Sequence, residues 1–150
     1  MRKLPAILSD IDGVVYRGGK LIARSDNALS RVLSSKFGPQ QQSKLPFALL
    51  TNGGGVLEGE RAKYINNIVY GSEEGLSEEV RLTAEKMILC HSPLKTLVPK
   101  YGDKFVLITG YGDTTKVAQD YGFTKAINCY EMLALNPDLC GHTRRNYPAD

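Results

Sequence analysis

Short apolar runs followed by small polar residues recur along the chain. Residues 6–8 and 47–50 are the clearest, and polar pairs follow them at 9–10 and 51–52. Apolar runs of this length predict strands buried in a parallel sheet, whose carboxyl ends open binding sites. The same pattern predicts further strands at 87–90, 105–108 and 126–127.

Apolar residues at helical spacing occupy the segments between these strands. Ser25 is expected to cap a first helix, and a second helix is predicted at 57–69, with Ala62, Ile65 and Val69 on one face. Strands alternate with helices, so the sequence predicts an α/β fold with mainly parallel strands. Further helices are predicted to begin at Ser77, at Ser92-Pro93 and near Tyr130, and one is predicted at 114–121, ended by Gly122.

Glycine and polar stretches mark the turns and the ends of units. Residues 14–22 surround the pair Gly18-Gly19 and predict a hairpin-like flap. Residues 38–44 form a polar loop, and the break at 71–75 is the predicted domain boundary. The tail at 136–150 has no periodicity and is expected to be loose.

Composition excludes several classes of protein. The chain has 150 residues, is 42% hydrophobic and 23% charged, and has a net charge of +3, which is typical of a globular domain. The basic residues are dispersed, so no nucleic-acid partner is expected. No apolar run approaches a membrane span, and the N-terminus leads almost directly into the first strand, so no targeting peptide is expected. Three cysteines without a CxxC pattern indicate reduced, buried or neutral thiols in an intracellular protein.

The strongest chemical signal is the pair Asp10 and Asp12, followed by Gly13, at the end of the first predicted strand. Two carboxylates at such a place are costly unless a cation or a substrate uses them. Asp10 fits a nucleophile that attacks a phosphoryl group. Asp12 fits the acid that protonates the leaving oxygen and then activates water. Both would serve as Mg²⁺ ligands, Asp12 through its backbone carbonyl, while Gly13 lets the backbone approach the phosphate. Taken alone, the motif is equally compatible with an acidic turn or a helix cap.

A second motif follows the second predicted strand. Thr51, Asn52 and Gly53 open a glycine-rich turn that leads into a helix. The Thr51 hydroxyl and the backbone N–H groups at a helix start are suited to phosphate oxygens. Taken alone, this is more often a plain strand–helix turn. The two motifs together, about 40 residues apart with one predicted helix between them, are specific to phosphoryl chemistry.

The segments DIDGVVYRGG (residues 10–19) and LLTNGGG (residues 49–55) resemble the first two motifs of the haloacid dehalogenase superfamily. The chain resembles in particular the subclass that inserts an α/β cap after the second motif. Residues 59–71 and 90–123 are similar to the branch of cat eye syndrome critical region protein 5-like hydrolases. The resemblance covers roughly residues 4 to 140.

This resemblance implies a Rossmann-like core, Mg²⁺ dependence and phosphatase-type hydrolysis through an aspartyl-phosphate. Asp10 matches the nucleophile, Asp12 the acid–base residue, and Thr51 with Asn52 the phosphate-binding motif. Residues 1–75 are then the N-terminal part of the core, residues 76–141 part of the cap, and residues 142–150 a loose tail. The branch also implies mitochondrial residence, as an alternative to the cytoplasm, and a link to glycerophospholipid metabolism.

The same resemblance implies a lysine and distal acidic residues after the cap, and residues 136–150 do not supply them. We therefore expect residues 1–150 alone to show little turnover, weak Mg²⁺ binding and self-association. A non-catalytic or truncated chain with the same fold is one alternative. Another is a capless phosphatase that uses Asp113 with Lys95 or Lys100, although positions 117–118, where a second acid is expected, hold valine and alanine. The expected partner is a small phosphorylated substrate.

Overall fold

The computed structural model describes residues 5–37 and 43–140. They form two compact units, one up to Ser92 and one from Pro93 onwards. None of the described helices combines the length and apolar composition needed to cross a membrane. Residues 38–42 of the loop predicted at 38–44, and residues 141–150 of the tail predicted at 136–150, lie outside the described residues. The described parts are ordered, since Ser43–Lys44 forms a short strand and Pro137–Cys140 a 3₁₀ turn.

The strands and helices alternate as the sequence pattern predicts, but the first strand is not buried as expected, since Ile7 and Leu8 are both exposed. In the first unit they are β1 (Ile7–Asp10), β2 (Tyr16–Arg17), β3 (Lys20–Leu21), α1 (Ser25–Ser34), β4 (Lys36–Phe37), β5 (Ser43–Lys44), β6 (Phe47–Leu50), α2 (Glu58–Tyr70), a 3₁₀ turn (Ala84–Lys86) and β7 (Met87–Ile88). The second contains α3 (Val98–Tyr101), β8 (Phe105–Ile108), α4 (Thr114–Tyr121), β9 (Lys125–Asn128), α5 (Cys129–Leu135) and a 3₁₀ turn (Pro137–Cys140), and a 3₁₀ segment (Ser92–Leu97) spans the junction.

A parallel sheet in the order β1-β6-β7 organises the first unit. Asp10, the last residue of β1, is paired with Leu50, the last residue of β6. The chain continues the ladder for one residue, because the Thr51 N–H donates to the Ile88 carbonyl at 3.0 Å. The residues that follow β1 and β6 therefore leave the sheet at the same edge.

Helix α2 packs its apolar face into the core of this unit. Ala62, Ile65 and Val69 are buried, as predicted from their spacing, and they belong to one cluster with Leu49 of β6 and Met87 of β7. Burial of such side chains contributes roughly 1.5–3 kcal/mol each, which fixes the helix on the sheet.

The flap at residues 14–22 is a hairpin, in which β2 and β3 pair antiparallel. Ser25 follows it, but it does not cap α1 as expected. It is the first helical residue, and its hydroxyl donates to the carbonyls of Val15 (2.8 Å) and Ile22 (2.6 Å). The side chain therefore joins the flap to the helix.

Residues 77–83 do not form the predicted helix, since they lie in a turn and an extended stretch that lead to the Ala84–Lys86 turn. The fully buried side chain of Asn66 explains the difference. Its amide donates to the Leu82 carbonyl at 2.9 Å, and its oxygen accepts from the Leu82 N–H at 3.1 Å. Leu82 thus pairs with a side chain of α2 instead of making helical hydrogen bonds.

As a consequence, the compact first unit extends to Ser92, beyond the boundary expected near Gly75. The segment up to β7 is held by Asn66 and by the pairing of β7 with β6. From the sequence pattern, the apolar run at 87–90 was expected to belong to the second domain. The pattern of an apolar strand does not specify which sheet the strand joins.

The second unit is built on the parallel pair of β8 and β9. Helix α4 ends at Gly122, with φ 110°, as predicted from the glycine. Buried Ala118, Phe123 and Ala126 form its core. The helix expected at Ser92-Pro93 is a 3₁₀ segment followed by the short helix α3. Cys90 and Cys129 are free thiols, which agrees with one of the expected alternatives, and both are exposed rather than buried.

Candidate active site

Asp10 ends β1 with an exposed side chain. Its Oδ1 accepts a hydrogen bond of 2.7 Å from the N–H of Ile11, the next residue. The side chain of Ile11 is fully buried and anchors the turn in the core. The carboxylate is therefore held in a fixed position at the edge of the sheet while it remains open to a ligand.

Asp12 and Thr51 are in direct contact, although 39 residues separate them. The Thr51 hydroxyl donates to Asp12 Oδ2 at 3.1 Å and accepts from the Gly53 N–H at 3.0 Å. Thr51 is 5% exposed, so its hydroxyl is oriented by these two contacts. The two motifs found in the sequence thus meet at one edge of the sheet.

The glycines and Asn52 shape the turns around this contact. Gly13 has φ 85°, a conformation that favours glycine, and its N–H donates to the Tyr16 carbonyl at 2.7 Å. This turn brings the flap back over the first motif. Asn52 is exposed between Thr51 and Gly53, at the turn that precedes α2.

Tyr16, in the flap, is a further member of the site. Its ring is 7% exposed. Burial raises the pKa of the phenol above its ordinary value of 10.0, and the charge of the hydrogen-bonded Asp12 carboxylate raises the pKa further, against an opposing effect of Arg61. Tyr16 therefore stays protonated. The Asp12 carboxylate thus has two neighbouring side chains, Tyr16 and Thr51.

Arg61 is a residue that the sequence analysis missed. It lies in the first turns of α2, and its Nη1 donates to Tyr16 Oη at 3.3 Å. Its guanidinium also lies 5.9 Å from the ring centre of Tyr64. A cation shortly after a glycine-rich turn is the signal that could have identified it, but such a residue is usually a solvated part of a helix surface.

The donors at this edge fit a magnesium ion. Mg²⁺ prefers oxygen ligands, and protein sites often supply only one or two carboxylates, with water and substrate phosphate completing the shell. Asp10 provides an exposed carboxylate, and Asp12 provides a backbone carbonyl on the same turn. Within the described ranges, no group of three or more histidine, cysteine or acidic side chains is arranged to hold a metal.

The alternative residues in the second unit have structural contacts of their own. Asp113 caps α4, since its carboxylate accepts from the Lys116 N–H at 3.1 Å. The ammonium group of Lys95 lies 4.6 Å from the ring centre of Tyr121. Among residues 93–140, the described part of this unit, no contact favours the use of Asp113 in catalysis over its role as a helix cap.

Comparison with known proteins gives a consistent picture. A family model described as haloacid dehalogenase-like hydrolase matches residues 7–124. A mitochondrial hydrolase of Saccharomyces cerevisiae is 32% identical over 134 residues, which are 89% of this chain and 33% of the yeast protein. A Schizosaccharomyces pombe protein named as a fusion of cardiolipin synthase (CMP-forming) and mitochondrial hydrolase is 34% identical over 126 residues, 83% of this chain and 18% of that protein.

The crystal structure of a hypothetical protein from Pyrococcus horikoshii shares the fold, with a TM-score of 0.57 and 20% identity over 86% of this chain and 42% of that one. At this identity the likeness concerns the fold alone. The chain spans a third or less of the length of the two curated relatives.

Proposed function

The chain belongs to the haloacid dehalogenase-like hydrolase family, and on this basis we propose that its first unit supplies the nucleophile and the acid–base residue for Mg²⁺-dependent hydrolysis of a small phosphomonoester. The observation that carries the proposal is the hydrogen bond from Thr51 to Asp12. It unites a carboxylate motif and a phosphate-binding motif that are distant in sequence, at the sheet edge where α/β proteins bind ligands.

Asp10 is proposed as the nucleophile because it is the exposed carboxylate at the end of β1. One of its oxygens attacks phosphorus while the bond from phosphorus to the ester oxygen breaks, which leaves an aspartyl-phosphate. Asp12 donates its proton to the departing oxygen. Water then attacks the aspartyl-phosphate, Asp12 takes a proton from that water, and phosphate and free Asp10 are released.

The turn after β6 is proposed to bind the phosphate. Thr51 presents its hydroxyl, and Asn52 and Gly53 lie beside it in the turn that leads from β6 to α2. Gly13 permits close approach of the backbone on the other side. Asp10 and Asp12 would hold Mg²⁺, which supplies positive charge against the repulsion between carboxylate and phosphate.

The relatives' names carry two further proposals. Both include the words mitochondrial hydrolase, so we propose a mitochondrial location for this chain. The fusion of one relative to a cardiolipin synthase supports a phosphorylated intermediate of glycerophospholipid metabolism as the substrate class.

The nucleophile is tested with beryllium fluoride, which forms an adduct on carboxylates that accept phosphoryl groups. The purified chain is mixed with Mg²⁺ and beryllium fluoride, and the bound fluoride is followed by ¹⁹F NMR. We expect a bound signal in the wild type and in the control Asp26→Asn, an exposed aspartate in the first turn of α1, and none in Asp10→Asn. A bound signal that survives Asp10→Asn would refute the assignment of Asp10.

The acid–base role is tested by turnover of an alkyl phosphomonoester with Mg²⁺, because an alkoxide, unlike p-nitrophenolate, needs a proton to leave. The protein tested includes the lysine and distal acidic residues that are expected after the cap. We expect Asp12→Asn to lower the rate roughly 10²–10⁴-fold, the usual contribution of a general acid, while the Asp10 adduct persists. An unchanged rate would exclude Asp12 as the proton donor.

A further inference from the structure

Two series of contacts lead to Asp12. In the first, the Gly53 N–H donates to the Thr51 hydroxyl, which donates to Asp12. In the second, Arg61 donates to the hydroxyl of Tyr16, a phenol that lies close enough to the Asp12 carboxylate for that charge to raise its pKa. The first series belongs to the proposed phosphate-binding turn, and the second brings a cation next to the same carboxylate.

The guanidinium of Arg61 also reaches the glycine turn itself. A Cβ atom added to Gly53 would lie 3.4 Å from Arg61 Nη2 and 3.3 Å from Thr51 Oγ1. Arg61 Nη2 and Thr51 Oγ1 therefore lie no farther apart than the sum of these two distances. The space left by the absent side chain of Gly53 is bordered by one hydroxyl and one cation.

Arg61 has donor capacity that its protein contacts do not use. Its Nε is buried without a hydrogen-bond partner among the described residues, and Nη1 contacts Tyr16. A guanidinium carries five N–H donors in a planar fork suited to phosphate oxygens. Leaving a buried donor of a charged group unsatisfied is costly, so an arrangement of this kind favours an anionic ligand.

The ring of Tyr64 and the phenol of Tyr16 restrict where this guanidinium can lie. The two rings meet edge to face with centres 6.0 Å apart, and Arg61 lies 5.9 Å from the centre of the Tyr64 ring. With these two contacts, Arg61 Nη2 lies 3.4 Å from the position of a Cβ on Gly53. An ordered cation loses less conformational entropy when it binds a ligand.

We propose that Arg61 binds the phosphate group of the substrate together with Thr51, an inference that rests on the proposed function of this site. Its charge offsets the repulsion between a phosphate dianion and the carboxylates of Asp10 and Asp12. Tyr16 acts as a positioning residue that keeps the guanidinium next to the turn.

Inorganic phosphate is the probe for this proposal. Binding to the ¹⁵N-labelled chain is followed through the amide resonances of residues 51–53, with and without Mg²⁺. We expect Arg61→Gln to weaken phosphate binding roughly ten- to a hundred-fold, as for a lost charge-assisted hydrogen bond. Arg61→Lys keeps the charge but loses the fork, and an intermediate loss is expected.

Arg81→Gln is the matched control. Arg81 is also half-buried, also has a buried Nε without a partner among the described residues, and contacts Glu78 and the Leu76 carbonyl instead of the site. We expect it to bind phosphate like the wild type. Urea unfolding of all variants separates a loss of binding from a loss of folded protein.

The outcomes distinguish this inference from the function on which it rests. If the wild type binds phosphate at residues 51–53 and Arg61→Gln binds equally well, the role of Arg61 is refuted and the phosphate site stands. The inference also fails if Arg81→Gln weakens binding as much as Arg61→Gln, because the effect is then one of net charge. If phosphate leaves the amides of residues 51–53 unchanged in the wild type, the phosphate site and the role of Arg61 both fall.

Discussion

The hydroxyl of Thr51 donates a hydrogen bond of 3.1 Å to Asp12 Oδ2 across 39 residues of sequence. Thr51 is nearly fully buried, and it also accepts from the Gly53 N–H. A single hydroxyl therefore fixes the orientation of a carboxylate and the shape of the turn before α2. The position of the Asp12 carboxylate and the proposed binding of phosphate at the turn both depend on this contact.

Replacing Thr51 by valine tests that dependence. Valine has nearly the same shape but leaves the Gly53 N–H without its acceptor, so we expect a loss of about 1–3 kcal/mol in the free energy of unfolding. Phosphate binding should weaken as well, because the hydroxyl donor is gone. Thr51→Ser keeps the hydroxyl and should retain most of the affinity. Equal affinity in the valine and serine variants would show that the hydroxyl does not bind phosphate.

Tyr16 should make the stability of the chain depend on pH in the alkaline range. Burial and the Asp12 carboxylate raise the pKa of the phenol above 10.0, so the folded state holds this proton at pH values where the unfolded state has lost it. The stabilising contribution is complete below the ordinary pKa and is lost as pH rises through the raised one.

Urea unfolding of the wild type and Tyr16→Phe between pH 8 and pH 11 measures this effect. The difference in stability between them should be constant up to about pH 10 and then change, with the wild type losing stability faster. Burial also lowers the pKa of Lys86. Lys86 is present in both proteins, so its contribution cancels in the difference between their stabilities. Parallel curves over the whole range would show that Tyr16 titrates as in the unfolded chain.

The bridge from Asn66 to Leu82 should be a major contribution to the stability of the first unit. Asn66→Ala removes both hydrogen bonds from a fully buried position, and we expect it to cost roughly 2–4 kcal/mol in the free energy of unfolding. The neighbouring Asn67 is exposed on the same helix, so Asn67→Ala is the control and should change stability by less than about 0.5 kcal/mol. Comparable losses in the two variants would mean that the bridge contributes little.

Two glycines near the site should respond to alanine in opposite directions. A Cβ at Gly54 would lie 2.8 Å from Cys90 Sγ and 2.9 Å from His91 Cδ2, which forces these side chains to move, and we expect a loss of about 1–3 kcal/mol. A Cβ at Gly59 in α2 would meet only the Ala84 Cβ at 4.0 Å. Gly59→Ala should therefore stabilise the chain by up to about 1 kcal/mol. Thermal unfolding of the two variants tests the difference, and a gain from Gly54→Ala would contradict the close packing.

The sequence by itself determined those features that depend on local pattern. The strands that end at Asp10 and Leu50, the buried face of α2 and the end of α4 at Gly122 follow from spacing of apolar residues and from the conformational freedom of glycine. The same local signals identified Asp10, Asp12 and Thr51 as candidates, because polar residues after apolar runs were expected at the ends of buried strands. They also carried the resemblance to the haloacid dehalogenase family. The exposure of Ile7 and Leu8 in the first strand did not follow from that pattern.

Only the tertiary structure decided which distant groups meet. The strand at Met87–Ile88 joins β6, the side chain of Asn66 replaces a partner strand for Leu82, and Arg61 contacts Tyr16 across 45 residues. Each of these contacts depends on the path of the chain between the two partners. That path does not produce a periodic pattern of residues in either segment. A hydrogen bond between remote residues requires both to be placed within about 3 Å of each other, and that placement comes from the packing of α2 on the sheet.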